Sequence, residues 1–193
     1  MTNEQTHDVY LGILAQLAAE SYLHGIALTP GPDLLDRLRN GNNHFDPPSS
    51  SAPRPGEGHG GTRMSAAQID EFIATYDIID HLPNQASGFS ATLLKNKATG
   101  EYTLAFRSTE YQNIDYGGDA ERDSVRGAAG DVAFNGIALG QVSSMEKYLV
   151  SLLDGTRALG ATPDDPLARD ATFLRTEELQ AFAEAVNNGA RIN

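Results

Sequence analysis

Val9, Ile13, Leu14, Leu17, Ala18, Ser21 and Tyr22 recur three and four positions apart, a spacing that predicts an amphipathic helix from about Asp8 to Leu28. Thr29-Pro30-Gly31-Pro32 stops it, and a short helical turn is expected over Asp33 to Arg39. From Asn40 to Arg63 the pattern disappears: Gly, Pro, Ser and Asn dominate, with Phe45 the one large apolar residue. Such a stretch buries too little surface to offset the entropy of ordering it, so a flexible loop is predicted. Periodicity resumes at Ser65, which stands three residues before Gln68 in a capping-box pattern. Ile69, Phe72, Ile73 and Tyr76 then trace a single helical face, and Pro83-Asn84 marks a turn.

The period then shortens to two. Gly88-Phe89-Ser90-Ala91-Thr92-Leu93-Leu94 and Tyr102-Thr103-Leu104-Ala105-Phe106-Arg107 are strand-like, and the polar Lys95 to Gly100 between them predicts a β-hairpin. Tyr102, Leu104 and Phe106 share one face and Thr103 and Ala105 the other, so both faces suit an interior position in a sheet. Glu110 to Gly130 is acidic and rich in glycine, which predicts a long loop. Val132, Ile137, Leu139, Val142, Met145, Leu149, Leu152 and Leu153 predict a helix from about Asp131 to Leu153. A second loop, Asp154 to Arg175, contains Pro163 and Pro166. The last helix starts near Thr176, buries Leu179, Phe182, Ala183 and Val186, and stops at Asn188-Gly189. Ala190 to Asn193 then reads as the approach to another strand.

Composition narrows the function classes. The 193 residues suffice for one ordinary domain or a large piece of one. Acidic residues outnumber Lys and Arg by 26 to 14, for a formal charge of -12, which argues against nucleic acid as a partner. Cysteine is absent, so disulfides, thiolate metal sites and a cysteine nucleophile are excluded. The N-terminus lacks a basic region followed by an apolar run, so no cleavable signal peptide is expected. No stretch approaches the roughly 20 apolar residues that a membrane-spanning helix needs.

Candidate chemistry is sparse. An acyl-transfer serine of the nucleophile-elbow kind needs Gly-x-Ser-x-Gly, because the tight turn leaves no room for larger neighbours. Ser90 comes nearest, but Thr92 fails the last position and the context is a strand. Ser143 lacks both glycines and sits within a helical pattern. Asp115, Asp119 and Asp123 make calcium the one ion to consider, yet they lack the spacing that wraps a loop around it, and no cofactor is expected. His7, His24, His44, His59 and His81 show no metal-binding spacing, and Gly60-Gly61 and Gly117-Gly118 are not phosphate loops.

One segment carries a resemblance. Gly88 to Thr92 followed by Leu104-Ala105-Phe106-Arg107-Ser108-Thr109-Glu110 resembles the early strands of class 3 lipases and bacterial phospholipase A1-like enzymes. In those enzymes the second strand ends in Phe-Arg-Gly-Thr/Ser. The likeness extends more loosely over Ile69 to Asn193. It implies the fold class α/β, as an incomplete α/β-hydrolase-like sheet with flanking helices that includes only the β-hairpin and early strands. The implied division is an N-terminal helical segment (1–39), a flexible loop (40–63) and the front half of a hydrolase domain (64–193).

The resemblance also assigns roles. Thr109 falls where the family forms its oxyanion hole, Ser108 lies in the same oxyanion loop at the family's glycine position, and Arg107 anchors that loop. The implied activity is hydrolysis of a lipid or phospholipid ester by a Ser-His-Asp mechanism. No nucleophile lies in these residues, so the isolated chain is expected to be inactive. The implied partners are an ester substrate and the remainder of the domain, either in a longer protein or as a complementing chain. Export without a cleavable signal follows from the likeness to secreted lipases; a cytoplasmic protein is the other reading. The competing functional class is a hydrolase-like shell that binds or interacts without catalysis.

Overall fold

The computed structural model describes residues 2–21, 23, 25–41, 63–83, 85, 89–107, 139–159 and 175–193. Helix α1 spans Asn3–Ala19 and opens earlier than its apolar stripe suggests. Thr2 Oγ1 accepts from the Gln5 amide and Gln5 Oε1 from the Thr2 amide, so two orphan donors are satisfied reciprocally. It closes at Ala19 instead of continuing to Leu28. Glu20 and Ser21 fold back onto Gln16 and Ala18, and Gly25 then adopts a left-handed φ of 71°, which a helix cannot continue through. Helix α2 (Pro32–Asn40) has proline in its first turn, and α3 (Ala66–Thr75) starts on the predicted Ser65–Gln68 capping box.

Beyond α3 the chain enters strand β1 (Tyr76–Leu82), which the periodicity did not predict. Tyr76 continues the helical face of Ile69 and Phe72, yet it is the first strand residue. The register shows why the strand is hard to recognise. Ile78 pairs with Leu94 but Asp80 with Leu93, so Ile79 is an extra residue in a bulge. A bulge breaks the alternation on which strand recognition depends.

The hairpin forms as expected, from β2 (Ala91–Asn96) and β3 (Tyr102–Phe106). Asn96 Oδ1 accepts from the amides of Ala98 and Thr99, and Gly100 at φ 74° completes the turn. The sheet order is β1-β2-β3, antiparallel throughout. Helix α4 spans Leu139–Leu153, and its predicted beginning from Asp131 lies outside the described residues. A short α5 (Thr156–Leu159) occupies the start of the expected loop, and α6 (Thr176–Asn187) begins where the sequence places it. The loop expected from Glu110 to Gly130, and all but Asn40, Gly41 and Arg63 of the one expected from Asn40 to Arg63, likewise lie outside the described residues.

Both sheet faces are covered. Ile78, Leu94 and Ala105 pack with Leu14, Leu38 and Phe72 of α1, α2 and α3. Leu82, Leu93 and Tyr102 pack on the opposite face with Tyr148, Leu152 and Phe182 of α4 and α6. The result is a helix–sheet–helix arrangement, compatible with the α/β class, with two clusters sharing one thin sheet.

Candidate functional site

The sheet presents polar residues at the end where β1 and β3 finish and β2 begins. Arg107 follows β3 directly and is 9% exposed; its amide donates to Ser90 O at 3.1 Å. Ser90 lies just before β2, not within it, and its hydroxyl donates to Leu82 O at 2.8 Å. Its oxygen therefore serves the β1–β2 connection. Beside it, His81 Nδ1 and Thr92 Oγ1 are 2.9 Å apart in a buried cross-strand pair, with the donor set by the histidine tautomer.

The other side of β3 is held by α1. Gln16 Nε2 donates to Phe106 O at 2.7 Å and to Glu20 Oε1 at 2.9 Å. Glu20 is 4% exposed, so an acidic residue at the end of α1 orients the amide that caps β3. Sequence reading missed both Gln16 and Glu20, because nothing local links a helix side chain to a backbone carbonyl 90 positions later. Of the three residues assigned from the resemblance, Arg107 stands at this end of the sheet, while Ser108 and Thr109 lie outside the described residues. Ser143 is exposed on α4.

A second polar group lies under the opposite face. Asp80 is fully buried, and its Oδ2 accepts from Arg157 Nε at 2.8 Å and from the Tyr148 hydroxyl at 2.8 Å. Oδ1 accepts from an Arg157 terminal nitrogen at 3.1 Å, completing a bidentate pair. The same nitrogen reaches His81 O, and the guanidinium sits 5.9 Å from the Tyr148 ring centroid. The bulge makes this possible, since Ile79 and Asp80 both reach the face covered by α4 and α5. With both carboxylate oxygens occupied and all three side chains buried, the cluster is an anchor for α4 and α5, not a reaction centre.

Burial pushes the Tyr148 hydroxyl well above the usual tyrosine range, and the neighbouring Asp80 charge adds to it. The proton is held more tightly in the folded state. Stability from this group is complete below the ordinary value of 10.0 and falls as pH rises above it, where the unfolded chain ionises first. In an alkaline titration followed by phenolate absorbance and circular dichroism, the Tyr148 signal is expected only as the helices melt. Tyr148→Phe should remove that component; a Tyr148 phenolate forming in the folded protein would refute the assignment.

Among the described residues no group of three or more His, Asp or Glu could hold a metal ion, and Asp115, Asp119 and Asp123 lie outside them. No described helix is long and apolar enough to cross a membrane. The arrangement is a three-stranded antiparallel sheet between helices, compatible with the α/β class. Compared with protein-family models, curated proteins and solved structures, the chain matches none.

Proposed function

We propose that this chain supplies the front half of a lipase-like carboxylic-ester hydrolase, contributing the oxyanion loop but not the nucleophile. The observation that carries this reading is the pairing of Ile192 with Tyr102. After α6 the chain returns beside β3 and runs parallel to it, with the Asn193 amide donating to Tyr102 O and its carbonyl accepting from Leu104 N. A parallel strand joined through a helix is the hallmark of α/β architecture. Any extension in that direction reaches the level of Arg107, where ligands bind in open α/β sheets, beyond the strand ends.

On this reading a serine from outside these residues attacks the ester carbonyl, a histidine takes its proton and returns it to the leaving alcohol, and water releases the acyl group. Thr109 donates its amide to the oxygen anion, and Arg107 anchors the loop. Removing one such donor costs on the order of 3 kcal/mol in the barrier, roughly a hundredfold in rate. Export from the cell belongs to the same reading. The isolated 193 residues should not turn over p-nitrophenyl butyrate, whereas a natural product containing a downstream serine elbow should. Thr109→Pro in that longer product should lower kcat about a hundredfold. Turnover by the 193 residues alone would refute the assignment of the nucleophile elsewhere. Ser108, standing at the family's glycine position, favours a second reading: a hydrolase-like shell that binds without catalysis. An intact protein inert towards every ester would support it.

A further inference from the structure

At the end of the sheet away from Arg107, β1 and β3 begin and β2 finishes. There α1, the junction of α3 with β1, and the hairpin turn border a groove of about 770 Å³. A volume of that order suits a small molecule. Leu11 and Ala74 supply apolar surface along it. Gly12 keeps it open, because nothing stands within 4 Å of where a Cβ would be.

The polar lining is one-sided in charge. Asp8 reaches the groove from α1 and Glu101 from the hairpin, whereas no Lys or Arg lines it among the described residues. Lys97, in the same turn, is held elsewhere: its Nζ donates to Ile73 O and lies 3.9 Å from Asp77. Glu101 accepts from the Thr99 hydroxyl at 3.1 Å, and neither carboxylate has a cationic partner among the described residues. Between them lies Tyr76, only 6% exposed. Burial raises its hydroxyl above the ordinary tyrosine value, a hydrogen bond with the Thr103 side chain opposes the rise, and the charges of Asp8 and Glu101 add to it. Both carboxylates therefore act on the same phenol, from separate elements.

We propose that this groove binds a short aliphatic diamine, with one ammonium group on Asp8 and the other on Glu101. Aliphatic amines are protonated at neutral pH, so two positive charges meet two unpaired negative ones. The methylene chain between them lies along Leu11 and Ala74 and over Gly12. The Tyr76 and Thr103 hydroxyls and the Asn96 side chain, which also lines the groove, offer oxygen acceptors to the remaining ammonium protons. A single ammonium leaves one carboxylate unpaired, and a neutral diol leaves both, so the charge pattern selects for two amines on one chain. The site stands at the far end of the sheet from Arg107 and is independent of the hydrolase reading.

The test titrates the 193-residue chain with 1,4-diaminobutane at constant ionic strength and follows the Gly12 and Thr103 amides by NMR. Both signals should shift and saturate, while n-butylamine should bind about fivefold more weakly and 1,4-butanediol should not bind. Asp8→Asn and Glu101→Gln should each weaken the diamine about fivefold, the upper end for an exposed ion pair. Glu146 is exposed on α4, across the sheet, and Glu146→Gln should leave the affinity unchanged; it controls for general attraction of cations to an acidic protein. Gly12→Leu should abolish binding by filling the groove without changing its charge. That variant should hold or raise the melting temperature, since leucine favours helix over glycine, so loss of binding cannot be ascribed to unfolding. Equal affinity for the diamine and n-butylamine would overturn the proposal, as would unchanged binding in Gly12→Leu. So would shifts that fail to saturate by about 10 mM, which would mark counter-ion attraction only.

Discussion

Arg157→Met is expected to destabilise the fold by about 3–5 kcal/mol, the cost of leaving one member of a buried ion pair alone. Asp80 and Arg157 are 0% and 2% exposed, so water cannot replace the two hydrogen bonds that the guanidinium makes to the carboxylate. Tyr148 would remain as a donor to Asp80, but it is neutral and reaches one oxygen only. The double variant Asp80→Leu/Arg157→Met should recover most of the loss, because removing both charges removes the desolvation problem along with the attraction. Urea denaturation of the two single variants and the double variant measures the coupling directly. A loss below about 1 kcal/mol for Arg157→Met would mean that the pair is hydrated and the anchor absent.

Phe182→Ala should cost a similar 3–5 kcal/mol, through lost burial and the cavity that remains. Phe182 is fully buried in α6 and meets Tyr102 of β3 edge-on at 4.9 Å. It is the contact that brings α6, and hence the returning segment at Ile192, to the outer side of β3. Val150 on α4 is 58% exposed, and Val150→Ala provides the control, expected within about 0.5 kcal/mol of the parent. In thermal melts Phe182→Ala should also lose the parallel pairing, read as faster exchange of the Leu104 amide. Retention of that protection would show that the pairing is held by something other than α6.

Much of the candidate site escaped sequence reading because its partners are remote. The position of Arg107 at the end of a strand was recognisable from the residues around it, since the alternation from Tyr102 to Phe106 is a local signal. Gln16 was not, because its partner is a carbonyl that could belong to any residue. Asp80 looked like one polar residue among several in Tyr76-Asp77-Ile78-Ile79-Asp80-His81-Leu82, and the bulge at Ile79 concealed the strand itself. Tyr148 and Arg157 stand 68 and 77 positions from the carboxylate they bind.

What the residues determine alone is the set of features governed by neighbours. The Ser65–Gln68 cap, the Asn96 to Gly100 turn, the alternating faces of β3 and the start of α6 all depend on groups a few positions apart. Such interactions form with little loop entropy and leave their mark in spacing. Tertiary structure decided where α1 stops, that Tyr76 belongs to a strand, and which charged residues become buried together. It also decided that Asn193 runs beside β3. Each of these depends on packing between segments far apart in the chain, where cross-sheet burial outweighs local preference and no periodicity records the partner.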